Sequence, residues 1–221
     1  MGNCNTKEFK QFKNNNSISN HKLNKNNKKI KITDVDNFKT KRRLFKIVLL
    51  GDSYVGKTSF INRVVFNDFT LDRKPTIGVD FYTKNIQFNQ FNSSDTSDEL
   101  RLQIWDTAGQ ERYRSISNMY YKNADVIFIM FALDNNESFK NVTKWMSDVK
   151  NNFGLLELET KILIILIGTK SDTNKRCVVY SEIEKLTQNT KAMYFETSAL
   201  ANIGCSDVIN YVGLELIKIY K

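Results

Sequence analysis

The chain has 221 residues, 41% of them hydrophobic, and a formal net charge of +9. That length suits one domain with a tail, and the apolar content suffices for a core, but no apolar run approaches the roughly 18 residues a membrane-spanning helix needs. The three cysteines (Cys4, Cys177 and Cys205) are scattered and have no metal-ligand spacing, which argues for reduced thiols and against a disulfide framework.

The charge is not spread evenly. Residues 1–46 carry 13 Lys/Arg against 3 Asp/Glu, and the remainder carries 20 against 21. The first stretch is also rich in asparagine and poor in apolar residues, so residues 1–43 are expected to form a basic, disordered arm. Its lone His21 has no partner for a catalytic or metal role. The opening Met1-Gly-Asn-Cys-Asn-Thr6 fits the pattern for N-myristoylation of Gly2. One myristoyl chain holds a membrane only weakly, so a second element is required. Cys4, placed for palmitoylation, and the Lys-rich stretch that follows both qualify, since basic residues are attracted to anionic lipid.

The folded part is expected from residue 44. Leu44–Leu50 is an apolar run that reads as a buried strand. Behind it, Gly51-Asp-Ser-Tyr-Val-Gly-Lys-Thr58 has the G-x-x-x-x-G-K-T spacing of a phosphate-cradling loop, with a helix opening at Ser59. The glycines Gly51 and Gly56 let backbone N–H groups converge on phosphate oxygens, and the helix start adds its positive dipole end. Lys57 supplies a point charge for the terminal phosphates, and the Thr58 hydroxyl is a magnesium ligand. After Asn67–Gly78, with the only proline at Pro75, a strand runs to about Phe88. Residues 89–99 read as a polar loop. Leu100–Trp105 alternates as a strand and ends at Asp106-Thr-Ala-Gly-Gln-Glu111. There Asp106 can hold magnesium through water, the Gly109 N–H can reach the last phosphate, and Gln110 can orient an attacking water. Coming about 50 residues after a phosphate loop and directly after a strand, an otherwise common D-x-x-G becomes informative.

Strands at 125–133 and 161–168 with a helix at 137–153 between them continue in α/β fashion. The second of these strands leads into Thr169-Lys-Ser-Asp172. The Asp172 carboxylate can accept from both N1–H and the 2-amino group of guanine, a donor pair adenine lacks, and the Lys170 stem can lie across the base. A helix at 181–190, a strand at 192–195, Glu196-Thr-Ser-Ala-Leu200 and a helix at 206–220 complete the chain. These loops follow strands at the carboxyl edge of a sheet, where ligands bind in such folds.

In combination, these stretches resemble a small GTPase of the Ras superfamily, with the Rab branch the nearer match over residues 44–221. Ile77-Gly-Val-Asp-Phe81, Trp105-Asp-Thr-Ala-Gly-Gln-Glu-Arg-Tyr113 and Tyr120-Tyr-Lys-Asn-Ala124 are the Rab-like portions. The resemblance implies a P-loop NTPase fold: an α/β, six-stranded, mostly parallel sheet flanked by about five helices. It implies a monomeric GTP/GDP switch that hydrolyses GTP with Mg2+, binds no nucleic acid, and works with exchange factors, activating proteins and effectors in vesicular traffic. The membrane would be endosomal, another vesicular membrane or the plasma membrane. The alternative is a nucleotide-bound scaffold with negligible hydrolysis. Residues 67–80 and 107–122 would be the switch segments. Nucleotide contacts would come from Gly51, Asp52, Ser53, Tyr54, Val55, Gly56, Lys57, Thr58, Ser59, Phe69, Thr76, Asp106, Gly109, Thr169, Lys170, Asp172, Ser198 and Ala199. Of these, Thr58, Thr76 and Asp106 would attend the metal, and Gln110 and Lys57 would be catalytic. Phe81, Trp105 and Tyr120 would be the aromatic triad that effectors read.

Four departures stand out. Thr169 replaces the family's usual asparagine, which predicts a weaker tie between base loop and phosphate loop and faster nucleotide exchange. Tyr54 stands where a small residue is usual. The loops at 89–99 and 154–160 read as longer than typical. The last sixteen residues hold no cysteine for prenylation, so the N-terminal acylation signal is the expected substitute, as in N-terminally acylated Rabs.

Overall fold

A computed structural model describes residues 43–71, 76, 78–89, 97–107, 120, 122–160 and 162–220. The N-terminal arm with Gly2 and Cys4, together with Pro75, Gly109 and Gln110, lies outside the described residues. So does most of the second switch segment. The described residues all belong to the unit Lys31–Lys221.

Six strands form one sheet in the order β2-β3-β1-β4-β5-β6. They are β1 (Arg43–Leu50), β2 (Val79–Asn89), β3 (Ser97–Thr107), β4 (Val126–Ala132), β5 (Leu163–Thr169) and β6 (Met193–Glu196). The pairs β1–β3, β1–β4, β4–β5 and β5–β6 are parallel, and the edge strand β2 runs antiparallel to β3. This is the mostly parallel sheet the sequence predicted. Every residue of β4 is buried, because a central parallel strand is covered on both faces and has no solvent side to reserve for polar residues.

Five helices occur among the described residues: α1 (Lys57–Phe66), α2 (Asn136–Lys140), α3 (Val142–Thr160), α4 (Tyr180–Thr190) and α5 (Cys205–Tyr220). One core cluster gathers Val48 and Leu50 of β1, Ile127, Ile129 and Phe131 of β4, Leu166 of β5 and Trp145 and Val149 of α3. Burial of side chains of this size stabilises by about 1.5–3 kcal/mol each, which fixes the sheet and so the loops at its carboxyl edge.

Two expected loops are shorter than the sequence suggested. β2 and β3 stay paired out to Asn89 and Ser97, leaving only 90–96 between them. Residues 154–160 belong to α3, which runs on to Thr160. The polarity of the first stretch hid the last pairs of the two-stranded ladder, whose hydrogen bonds are made by backbone whatever the side chains.

Candidate functional site

β1 delivers the chain at Gly51 into the phosphate loop, and α1 receives it at Lys57. Gly51 has φ +144°, and a Cβ there would lie 2.2 Å from the carbonyl oxygen of Met130. Only glycine lets the loop pass so close to β4. Gly56 is the N-cap of α1 at φ 97°, a left-handed position, with no side chain capping the helix and no acidic residue in its first turn. The first N–H groups of α1 are therefore left to an anion.

Lys57 is 6% exposed, and its ammonium donates to the carbonyls of Gly51 at 2.8 Å and Asp52 at 2.9 Å. Burial pulls its pKa down to about 8, against the opposing charges of Asp106 and Asp52. A desolvated ammonium is costly without an anionic partner, and a phosphate group offers one.

Three oxygen-bearing side chains meet beside it. Thr58 Oγ1 donates to Asp106 Oδ2 at 2.6 Å and lies 2.9 Å from Thr76 Oγ1, which is itself 3.4 Å from Asp106 Oδ2. Burial pushes the Asp106 carboxyl above its ordinary range, opposed by the Thr58 hydroxyl and the Lys57 charge. Its other oxygen, Oδ1, is buried with no hydrogen-bond partner among the described residues. An orphaned carboxylate oxygen next to two hydroxyls is a hard-oxygen donor set, and it fits magnesium.

A cavity of about 670 Å³ connects this corner to the ends of β5 and β6, within the range of small-ligand sites. Its phosphate end is lined by Ser53, Tyr54, Gly56, Lys57, Thr58, Ser59 and Thr76. Its other end is lined by Phe69, Thr169, Lys170, Asp172 and Ala199. Ser198 stands behind: its hydroxyl donates to Asp172 Oδ1 at 2.5 Å, steadying a carboxylate that is otherwise exposed. Lys170 is paired with Asp134 at 3.1 Å, and Asp134 also lines the cavity.

Asp134, Thr173, Asn174 and Leu200 line the site without being singled out by the sequence. Asp134 carried a signal, since it follows the end of a central parallel strand at the ligand-binding edge. Asp52 was expected among the ligand contacts, but its carboxylate turns elsewhere, accepting from Trp145 Nε1 at 2.9 Å and Asn141 Nδ2 at 2.7 Å. The Asp52 side chain thus anchors the phosphate loop to α3, and only its backbone faces Lys57.

Thr169 also departs from expectation. Its hydroxyl donates to the carbonyl of Val55 at 2.5 Å, with the Phe131 carbonyl 3.0 Å away. The tie between base loop and phosphate loop survives the missing amide, carried by a shorter side chain from a fully buried strand end.

Tyr54 lines the cavity mouth in a left-handed conformation, φ 64°, and is 71% exposed. That backbone costs roughly 1–2 kcal/mol for a residue with a Cβ, and little burial offsets it. Away from the cavity, the Phe81 and Trp105 rings stack at 5.8 Å, and Trp105 and Tyr120 lie 6.1 Å apart. Lys46 Nζ sits 4.4 Å over Trp105. Phe81 is 60% exposed, so its ring is at the surface and not core packing.

A glycine-turned loop, a buried lysine, an oxygen cluster suited to magnesium and a carboxylate at the far end of one cavity define a phosphate-loop nucleotide-binding protein of the α/β class. Comparison with known proteins narrows this. Residues 46–218 match the model of the Ras family. The chain is 42% identical over 158 residues to Ras-related protein Rab-11C of Dictyostelium discoideum, covering 71% of this chain and 65% of that one. It is 40% identical over 160 residues to Ras-related protein RABA6b of Arabidopsis thaliana, covering 72% and 65%. With Ras-related protein RIC2 of Oryza sativa subsp. japonica it shares 35% over 179 residues, covering 80% and 76%. The chain thus spans just under two thirds of the length of the first two relatives. It belongs to the Ras family of small GTPases, on the Rab branch.

Proposed function

We propose that this protein is a GTP/GDP switch that hydrolyses GTP and, in its GTP form, recruits effectors in vesicular membrane traffic. The observation that carries the reading is a single cavity with Lys57 and the phosphate loop at one end and Asp172 at the other. Asp172, held by Ser198, accepts from N1–H and the 2-amino group of guanine, while the Lys170 stem covers the base. The first N–H groups of α1 and the Lys57 ammonium hold the phosphates.

Thr58, Thr76 and Asp106 are the residues that would hold magnesium, which would supply positive charge at the phosphate oxygens. Thr76 and the Gly109 N–H order both switch segments in the GTP form and release them after hydrolysis. Gln110 orients the attacking water, and Lys57 neutralises charge developing on the transferred group. The side chains for magnesium and for the attacking water, Thr58, Asp106 and Gln110, are all present in the sequence, which favours a hydrolysing switch over an inert scaffold.

Exchange factors, an activating protein and effectors are the expected partners, with Phe81, Trp105 and Tyr120 as the effector face. No described helix is long and apolar enough to cross a membrane. Attachment would come from myristoylated Gly2, palmitoylated Cys4 and the basic arm, at the cytoplasmic face of vesicular or plasma membranes. Labelling with a myristate analogue in wild type and Gly2→Ala tests that anchor; equal labelling of both would remove it. The switch itself is tested by single-turnover GTP hydrolysis. Gln110→Leu should bind GTP as wild type does and turn it over at least about 100-fold more slowly, whereas undiminished turnover would contradict the assigned chemistry.

A further inference from the structure

α1 begins at the phosphates with Lys57, and Arg63 lies on it about 9 Å further along. The Arg63 side chain makes one bond far along the chain and one to Asn67, the C-cap of its own helix. Its Nε donates to the carbonyl of Ala199 at 2.7 Å, and an Nη donates to the carbonyl of Asn67, also at 2.7 Å. Ala199 lines the cavity near Asp172, and Asn67 opens the stretch that brings Phe69, Thr70 and Leu71 to the same cavity. One guanidinium therefore joins the loop at the base end to the C-terminal end of α1, from which the first switch segment departs.

The backbone around Ala199 explains why this matters. Ser198 exchanges both backbone hydrogen bonds with Ile203, each at 2.9 Å. The peptide between Ser198 and Ala199 is planar and trans, so turning its carbonyl toward Ile203 directs the Ala199 N–H the opposite way. The next peptide, carrying the Ala199 carbonyl, is held by Arg63. One residue is thus fixed on both sides, first by the loop's own turn and then from α1. A charged donor makes this second bond stronger than a neutral one would.

We propose that Arg63 is a positioning residue for base recognition, holding Ala199 so that its N–H meets the 6-oxo group of guanine. Arg63 itself is not among the residues lining the cavity. The inference rests on the guanine-nucleotide reading above and adds to it the residue that sets the geometry of the base loop.

The test is the dissociation rate of GDP from the full-length protein with magnesium present. It is compared with that of a diphosphate of 2-aminopurine riboside, which keeps the 2-amino group but lacks the 6-oxo acceptor and, with it, the N1–H donor; for each nucleotide the variant is read against wild type, so the loss of N1–H is common to both proteins. Loss of a hydrogen bond from a charged donor corresponds to roughly a 10- to 100-fold change. Arg63→Ala should speed GDP release by about that factor and release of the analogue by less than about threefold. Arg63→Lys, which keeps one charged donor, should recover part of the loss. Equal acceleration of both nucleotides, or none with either, would overturn the inference. A wild-type protein with no preference for GDP over ADP would overturn the guanine reading itself, a failure visible before any variant is made.

Discussion

Replacing Thr169 with valine keeps the shape of the side chain and removes its hydroxyl. Thr169 is 5% exposed, and its hydroxyl donates to the carbonyl of Val55, a fully buried residue of the phosphate loop. Valine leaves that carbonyl without a donor where water cannot reach it, at a cost of about 1–3 kcal/mol. For a domain of this size each kcal/mol lowers the melting temperature by about 2–4 °C, so the loss should be roughly 2–12 °C. Because the bond joins the two loops that hold opposite ends of the nucleotide, its loss should also speed release of labelled GDP, by about 5- to 150-fold if the full amount is expressed there. Thr169→Asn restores a donor, and should leave release within about threefold of wild type. The measurements are stopped-flow displacement of a fluorescent GDP analogue and thermal melting of the bound form. A Thr169→Val protein that melts and releases nucleotide as wild type does would refute the reasoning.

Other perturbations probe the supports around the site. Trp145→Phe removes the N–H donor to Asp52 and should cost about 1–3 kcal/mol with faster GDP release, read by melting and displacement. Arg176 donates to Glu196 at 2.8 and 3.0 Å and to the hydroxyl of Tyr180 at 2.9 Å. Arg176→Met should therefore cost about 2–3 kcal/mol, a fall of roughly 4–12 °C, while leaving the preference for GDP over ADP intact. The Cys205 thiol, 1% exposed, is pushed up to about 12 by burial, so it stays protonated at pH 8. Peptide mapping after brief alkylation of the native protein should find Cys177 modified and Cys205 untouched.

The parts of this molecule legible in its sequence are those whose cause is local. The turn at Gly51–Thr58 is written in consecutive residues, because each glycine and the lysine act within one loop. The run Val126–Ala132 announces a buried parallel strand by having no polar residue. Asp106 and Asp172 could be assigned because each stands at or just past the end of a strand, at the edge where ligands bind. What stayed hidden depends on distant residues meeting. Nothing near Asp52 says that its carboxylate belongs to Trp145 and Asn141, and nothing near Arg63 points to Ala199. Thr169 is the instructive case: its chemistry predicted a weaker tie, and only the packing of β5 against the phosphate loop reveals that a hydroxyl reaches Val55. Only the outer end of the β2–β3 ladder, Asn89 and Ser97–Glu99, was obscured, since backbone pairing needs no apolar signal.

The central claim is that Asp172 and the phosphate loop hold the two ends of one guanine nucleotide. Equilibrium binding of GDP and ADP to the purified full-length protein, in the same buffer with magnesium, tests it most directly. A site built to accept from N1–H and the 2-amino group should favour GDP by about 10⁴-fold or more, and Asp172→Ala should erase most of that margin. Equal affinity for the two diphosphates would contradict the account.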